Sequence, residues 1–90
     1  MYYILFYETV PNYLEARQPH RANHFEHLEA AKAAGILVMA GAFANPADGA
    51  ALVFTGETEA VAKDFARTDP YVLNGLINRW YVREWTVVVD

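Results

Sequence analysis

Apolar residues fall in blocks along the chain, and the blocks differ in period. Tyr2 to Tyr7 is an unbroken apolar run, aromatic or β-branched except at Leu5, which predicts a strand with both faces buried. Pro11 and Asn12 end it. Tyr13 to Gln18 reads either as loop or as a first helical turn, and Pro19 suits an early helical position. From His20 or Arg21 to Ala34 the composition is helical, with Ala30, Ala31, Ala33 and Ala34 supplying propensity and Gly35 a C-cap. Ile36 to Ala44 reads as a second strand, joined to a third at Ala50 to Thr55 by the turn residues Asn45, Pro46, Asp48 and Gly49. Thr58 caps a second helix that runs to the neighbourhood of Arg67, with Val61 and Phe65 one turn apart. Asp69 and Pro70 stand in the order of an N-cap and a first helical residue, opening a short turn that ends near Gly75. Asn78 to Val89, rich in Trp, Tyr and Val, reads as the last strand.

This order, β-α-β-β-α-β, predicts an α+β ferredoxin-like domain over residues 1–90, with both helices on one face of a four-stranded antiparallel sheet. Neither Tyr2–Tyr7 nor Ile36–Ala44 has a polar side to offer water. A large apolar sheet face is rarely left bare in a monomer, so the pattern predicts a homodimer packed sheet to sheet.

Composition narrows the functional classes. Ninety residues suit one domain with a modest core, for which association adds buried area. The chain has no cysteine, which removes thiolate chemistry and fits a reducing compartment. The formal charge is −4 with no basic run, which argues against nucleic acid or an anionic membrane as partner. The start, MYYILFYE, lacks a basic leader, and its apolar run is too short for a signal peptide or a membrane span, so a cytoplasmic location is expected. Gly41, Gly49 and Gly56 form neither a Rossmann nor a P-loop pattern, and no cofactor is expected. Trp80, Tyr81 and Trp85 read as packing residues rather than a base-stacking platform, given the charge balance.

Candidate chemistry concentrates in RANHFEHL, residues 21 to 28. On a wheel centred on His24, Leu28 falls at about 40°, Arg21 at about 60° and Ala31 at about −20°, while Glu26 and Glu29 turn outward. Arg21 and His24 thus lie inside the apolar arc, where an unpaired polar group costs about 1–3 kcal/mol. One reading makes His24 a satisfied histidine at the rim of the core. Another pairs it with Asp69, because the end of the second helix can approach the start of the first in this topology. A carboxylate there would fix the imidazole tautomer and raise its basicity, leaving the second nitrogen free to move a proton. Asp69 could equally serve only as a helix cap, or could cap with one oxygen and meet the histidine with the other. Arg21 could bind an anionic group or stabilise an enolate-like charge, although its charge would oppose protonation of His24. His20, His24 and His27, at i, i+4 and i+7, could face a metal, but no fourth ligand or HExxH motif supports that, and no metal is expected.

RANHFEHLEAAKAAGILVMAG followed by DPYVLNGL resembles the YCII-related (YciI-like) domain family over nearly the whole chain. That family has an Arg-x-x-His-Leu start to its first helix, a glycine near the second strand and an Asp-Pro-Tyr/Phe-Val…Gly motif after the second helix. The resemblance implies a dimeric α+β barrel assembly and an active site built on His24 and Asp69. It matches Arg21 to the motif arginine and Gly41 and Gly75 to the motif glycines, and it puts Tyr71 beside the motif aspartate. Arg21, Gly41 and Tyr71 are taken as substrate-binding positions. One member of the family is a dehydrochlorinase acting on a chlorinated hydroxyquinol, and the wider superfamily includes muconolactone isomerase and small monooxygenases. Two departures stand out. Ala42 follows Gly41 where Gly-Pro is frequent, which should alter the pocket wall. Phe25 follows His24 where Leu is usual, which should only repack the core.

The expectation is a small-molecule enzyme of lyase or isomerase type, with His24 and Asp69 moving a proton on a small anionic or aromatic substrate. The alternative is a non-catalytic dimeric domain that binds a small ligand.

Overall fold

The computed structural model describes residues 1–90. The elements are β1 (Tyr2–Thr9), α1 (Tyr13–Ala16), a 3-10 turn (Gln18–His20), α2 (Arg21–Ala33), β2 (Leu37–Ala42), β3 (Gly49–Thr55), α3 (Ala60–Thr68), α4 (Pro70–Leu73) and β4 (Ile77–Trp85). The strands form one antiparallel sheet in the order β2-β3-β1-β4. This is the predicted ferredoxin-like arrangement, with α1 and α4 added as short turns.

Register decides which side chains meet the helices. Tyr3, Leu5 and Tyr7 of β1 pair with Phe54, Leu52 and Ala50 of β3, and on the other side with Glu84, Val82 and Trp80 of β4. All of these inner positions except the exposed Glu84 pack with Ala31 of α2 and Ala62, Phe65 and Ala66 of α3. The i, i+3, i+4 spacing of the three α3 residues gives that helix a continuous apolar stripe. A smaller cluster of Tyr13, Tyr71 and Leu76 closes the end of the core where α1 and α4 meet. The opposite face carries Tyr2, Ile4, Phe6, Met39, Val53, Tyr81 and Trp85 with no helix above it. Met39 is 65% exposed there, and Phe6 stacks on Tyr81 at 5.2 Å between ring centres. Around this apolar centre stand Arg83, opposite Ile4, and the Glu8–Arg79 ion pair at 3.1 Å.

Several boundaries differ from the pattern reading, for identifiable reasons. The last strand stops at Trp85 rather than Val89, because Trp85 pairs with Tyr2 and β1 offers nothing beyond it. Val88 and Val89 are therefore exposed. The second strand stops at Ala42 rather than Ala44, where its pairing with Ala50 ends and the turn begins. Thr58 accepts a hydrogen bond from the Ala60 N–H, but the N-cap position of α3 is Glu59, which makes no side-chain cap. Gly35 and Gly75 end α2 and α4 at φ +79° and +75°, the left-handed conformation that glycine adopts without a Cβ clash.

One irregularity has no signature in the sequence. Leu37 pairs with Phe54 but Met39 with Val53, so β2 carries a bulge at Val38. The bulge reverses the side-chain alternation, and Ala40 and Ala42 join Leu37 on the helix side of the sheet. Leu37 to Ala42 is apolar or small throughout, so its pattern carries no phase from which the reversal could be read.

The helical layer is tied to the sheet by one charged group. Asp69, with no exposed surface, is the N-cap of α4 and accepts the Tyr71 N–H at 3.0 Å. Its other oxygen accepts the Tyr7 hydroxyl from β1 at 2.6 Å. Tyr3, four positions back on the same strand face, has only long contacts, to the Glu57 carbonyl at 3.4 Å and the Met1 sulfur at 3.7 Å. Tyr7→Phe should therefore destabilise the fold by about 2 kcal/mol, the typical cost of orphaning a buried charged acceptor. Tyr3→Phe should change stability far less. Urea unfolding of the two variants side by side checks this, and equal losses would mean that the Tyr7 hydroxyl is not holding Asp69.

Candidate active site

His24 is buried on the inward face of α2, at 7% exposure. Its Nδ1–H donates to Asp69 Oδ1 at 2.7 Å, a bond that joins α2 to the segment opening α4. The same oxygen takes the Tyr71 N–H, while Oδ2 takes the Tyr7 hydroxyl. The two roles open to Asp69, cap and histidine partner, are thus combined on one oxygen rather than divided between two. Three donors converge on a carboxylate cut off from water, and charge-assisted bonds of this length hold it as an acceptor.

The Tyr71 ring lies flat on the His24 ring, 3.8 Å between centres and 9° from parallel. Bond and stack together fix the imidazole in position and in plane. With Nδ1 as the donor, Nε2 carries the lone pair of the neutral ring. It has no protein hydrogen-bond partner, and His24 borders a cavity of about 230 Å³. Tyr7, Tyr71, Arg21 and Gly41 line the same cavity. Burial, followed by the Asp69 charge and the bond to it, pushes the Tyr7 phenol above its ordinary range. Burial and the neighbouring Tyr13 push Tyr71 up to about 12, against the opposing pull of Arg17 and Arg21. Both phenols are neutral donors at physiological pH.

The residues named from the sequence meet here, though not all in the expected way. Gly41 belongs to the outward phase of the bulged strand, and a Cβ built on it would meet nothing within 4 Å. It forms cavity wall through its main chain, while the small side chains of Ala40 and Ala42 line the space. The Gly-Ala departure from the family pattern therefore falls on the wall. Phe25 does not repack the core: it is 44% exposed, lines the cavity and lies under the Arg21 guanidinium at 4.9 Å. His27 turns away to donate through Nε2 to the Phe65 carbonyl at 3.0 Å and stacks on the Phe65 ring. No three His, Asp or Glu side chains gather as a metal site.

Three lining residues are not evident from the sequence. Tyr7 is indistinguishable there from its outward neighbours, because both phases of β1 are apolar. Tyr13 and Arg17 lie in the segment that could be loop or helix. Arg17 stands four positions before Arg21, and that spacing becomes a shared side only once the helical turns across Pro19 are known.

Comparison with known proteins identifies relatives of the chain and of its fold. A protein of Haemophilus influenzae described as uncharacterized is 34% identical, the match covering 84% of this chain and 87% of the relative. Among solved structures, 5-chloro-2-hydroxyhydroquinone dehydrochlorinase from Burkholderia phenoliruptrix, in complex with 2,5-dihydroxybenzoquinone, superposes with a TM-score of 0.80 at 22% identity. That match covers 96% of this chain and 94% of the other, and establishes the shared fold. The sequence profile of the YCII-related domain matches residues 1–86, and the chain belongs to that family.

Proposed function

We propose that this protein is a small-molecule enzyme in which His24, oriented by Asp69, moves a proton on a substrate held in the cavity. The observation that carries this reading is a single ring with its two nitrogens differently engaged. Nδ1 is committed to a buried carboxylate at 2.7 Å, and the ring borders a cavity of about 230 Å³ with Nε2 unpaired. A binding module would keep Asp69 for the fold, but would not need an imidazole held on it with a free nitrogen beside the cavity. The dehydrochlorinase with the same fold is a precedent for chemistry on a single ring in such a scaffold.

The chemistry that fits is elimination or isomerisation. Nε2 removes a proton from a carbon adjacent to an electron-withdrawing group. In an elimination the freed pair forms a new π bond and the leaving group departs with its bonding electrons. In an isomerisation the imidazolium returns the proton at a different carbon. Asp69 favours the imidazolium that forms, Arg21 offers positive charge to an anionic group of the substrate, and Tyr71 holds the ring plane. Because a cavity of about 150 Å³ takes a benzene ring, this one suits a single substituted ring. A cytoplasmic setting belongs to the same reading and is supported by the cysteine-free sequence.

We also infer that a second copy covers the open sheet face, since Ile4, Phe6, Met39 and Tyr81 form an apolar centre with a polar rim.

Two measurements test these readings. Small aromatic and anionic metabolites would be screened by thermal shift, and hits followed by NMR for loss of a C–H proton to deuterium oxide. His24→Ala should slow that exchange at least about 100-fold with the fold retained, the usual contribution of a general base. Exchange within about tenfold of wild type would remove His24 from the chemistry. In light scattering the wild type should run at twice its 10.1 kDa chain mass and Phe6→Lys at the chain mass itself. A monomeric wild type at micromolar concentration would end the dimer reading.

A further inference from the structure

We infer that the Arg17–Arg21 end of the cavity holds the carboxylate of a small, one-ring organic acid. The inference deepens the reading of this cavity as a substrate site and rests on it, but it is independent of the proton transfer assigned to His24.

The cavity wall carries two guanidinium groups and no carboxylate, in a chain whose formal charge is −4. The ion pairs of the molecule lie elsewhere: Lys63 with Glu59, Arg67 with Asp64, Arg79 with Glu8, and His24 with Asp69. Neither Arg17 nor Arg21 is neutralised by its surroundings. Arg17 Nε is buried with no hydrogen-bond partner, a charged donor withdrawn from water and left unsatisfied.

Both guanidiniums are held by aromatic faces rather than by acids. Arg17 lies over the Tyr13 ring at 5.2 Å and Arg21 over the Phe25 ring at 4.9 Å. An aromatic face holds a guanidinium in place without neutralising it, so its charge and terminal N–H groups stay free for a carboxylate. Tyr13 is itself fixed edge-on to Tyr71, which packs on His24, so the cationic end and the imidazole sit at a set separation. The rest of the lining is largely apolar, with Leu28, Leu52, Ala40 and Ala50 among the wall residues. The site thus offers an anion subsite, apolar walls around a space of one-ring size, and a base.

Phe25 explains itself on this reading. An aliphatic residue at that position could pack but could not stack, and Arg21 would lose the surface that orients it.

The test uses the full chain with three probes: benzoate, its neutral counterpart benzamide, and inorganic phosphate. Calorimetry should give saturable benzoate binding, weakened at least about tenfold for benzamide and for phosphate. Arg17→Lys, which keeps the charge but loses Nε and the planar fork, should also weaken benzoate about tenfold, as should Arg21→Gln. The Arg17 Nε–H resonance should shift on titration with benzoate. His24→Ala should retain benzoate binding. Absence of saturation by about 10 mM benzoate overturns the inference, as does equal binding of benzamide, unchanged affinity in both arginine variants, or phosphate binding as tightly as benzoate. Carboxylate selectivity with no proton exchange on any ligand would leave this subsite standing and remove the enzyme. Exchange on uncharged substrates without carboxylate selectivity would do the reverse.

Discussion

The buried charge of Asp69 is the constraint around which this small fold is arranged. A carboxylate with no exposed surface is tolerable only if it is fully bonded, and the chain has to bring three donors to it from separate places. They come from β1 (Tyr7), α2 (His24) and the main chain of α4 (Tyr71). The sheet, the first long helix and the short terminal helix are therefore held together at one point. The two long helices differ in what else secures them. α3 buries Ala62, Phe65 and Ala66, whereas α2 fully buries only His24 and Ala31. α2 is located by polar pins, His24 on Asp69 and His27 on the Phe65 carbonyl, as much as by apolar packing. A helix held in this way need not press its whole length onto the sheet, and its N-terminal half stands over the small residues of β2 with a cavity between.

The shape of that cavity follows from local features of modest size. The bulge at Val38 brings Ala40 and Ala42 to the helix side, where larger residues would fill the space. The tyrosines supply the rest: Tyr7 closes the floor and Tyr71 and Tyr13 form an aromatic wall in edge-to-face contact. Since burial holds the Tyr7 and Tyr71 phenols in their neutral form, the wall adds no further charge. The charges at the cavity are then the two arginines, while Asp69 lies behind His24 and is bonded to it.

Much of this is legible in the sequence. The element order follows from periodicity and turn residues, and the meeting of His24 with Asp69 is one of the readings that wheel position and topology leave open. Gly35 and Gly75 are readable because a left-handed helix end asks for glycine. What cannot be read has one main cause, a pattern without contrast. β1 is apolar on both phases, so the inward set of Tyr3, Leu5 and Tyr7 has no mark to distinguish it. β2 is uniformly small and apolar, so its bulge leaves no trace. Arg17 lies before Pro19, where the chain passes through a 3-10 turn, and helical spacing cannot be assumed across it. Phe25 looks like core because hydrophobicity cannot show that a cation will lie on the ring.

Stability and function are not separable at every residue of such a site. Replacing Asp69 removes the acceptor that orders the imidazole and also the one that anchors Tyr7 and caps α4, so lost activity there would say little about chemistry. His24 differs, because on its removal Asp69 still keeps two of its three donors. Arg17 and Arg21 differ further, since no carboxylate of the fold depends on either. The network is thus graded, from a carboxylate that serves the fold first, through a histidine serving both, to arginines that the fold leaves uncommitted. A buried arginine nitrogen left without a partner costs stability, and its place near an oriented imidazole is the feature of this structure that a purely structural account leaves without a reason.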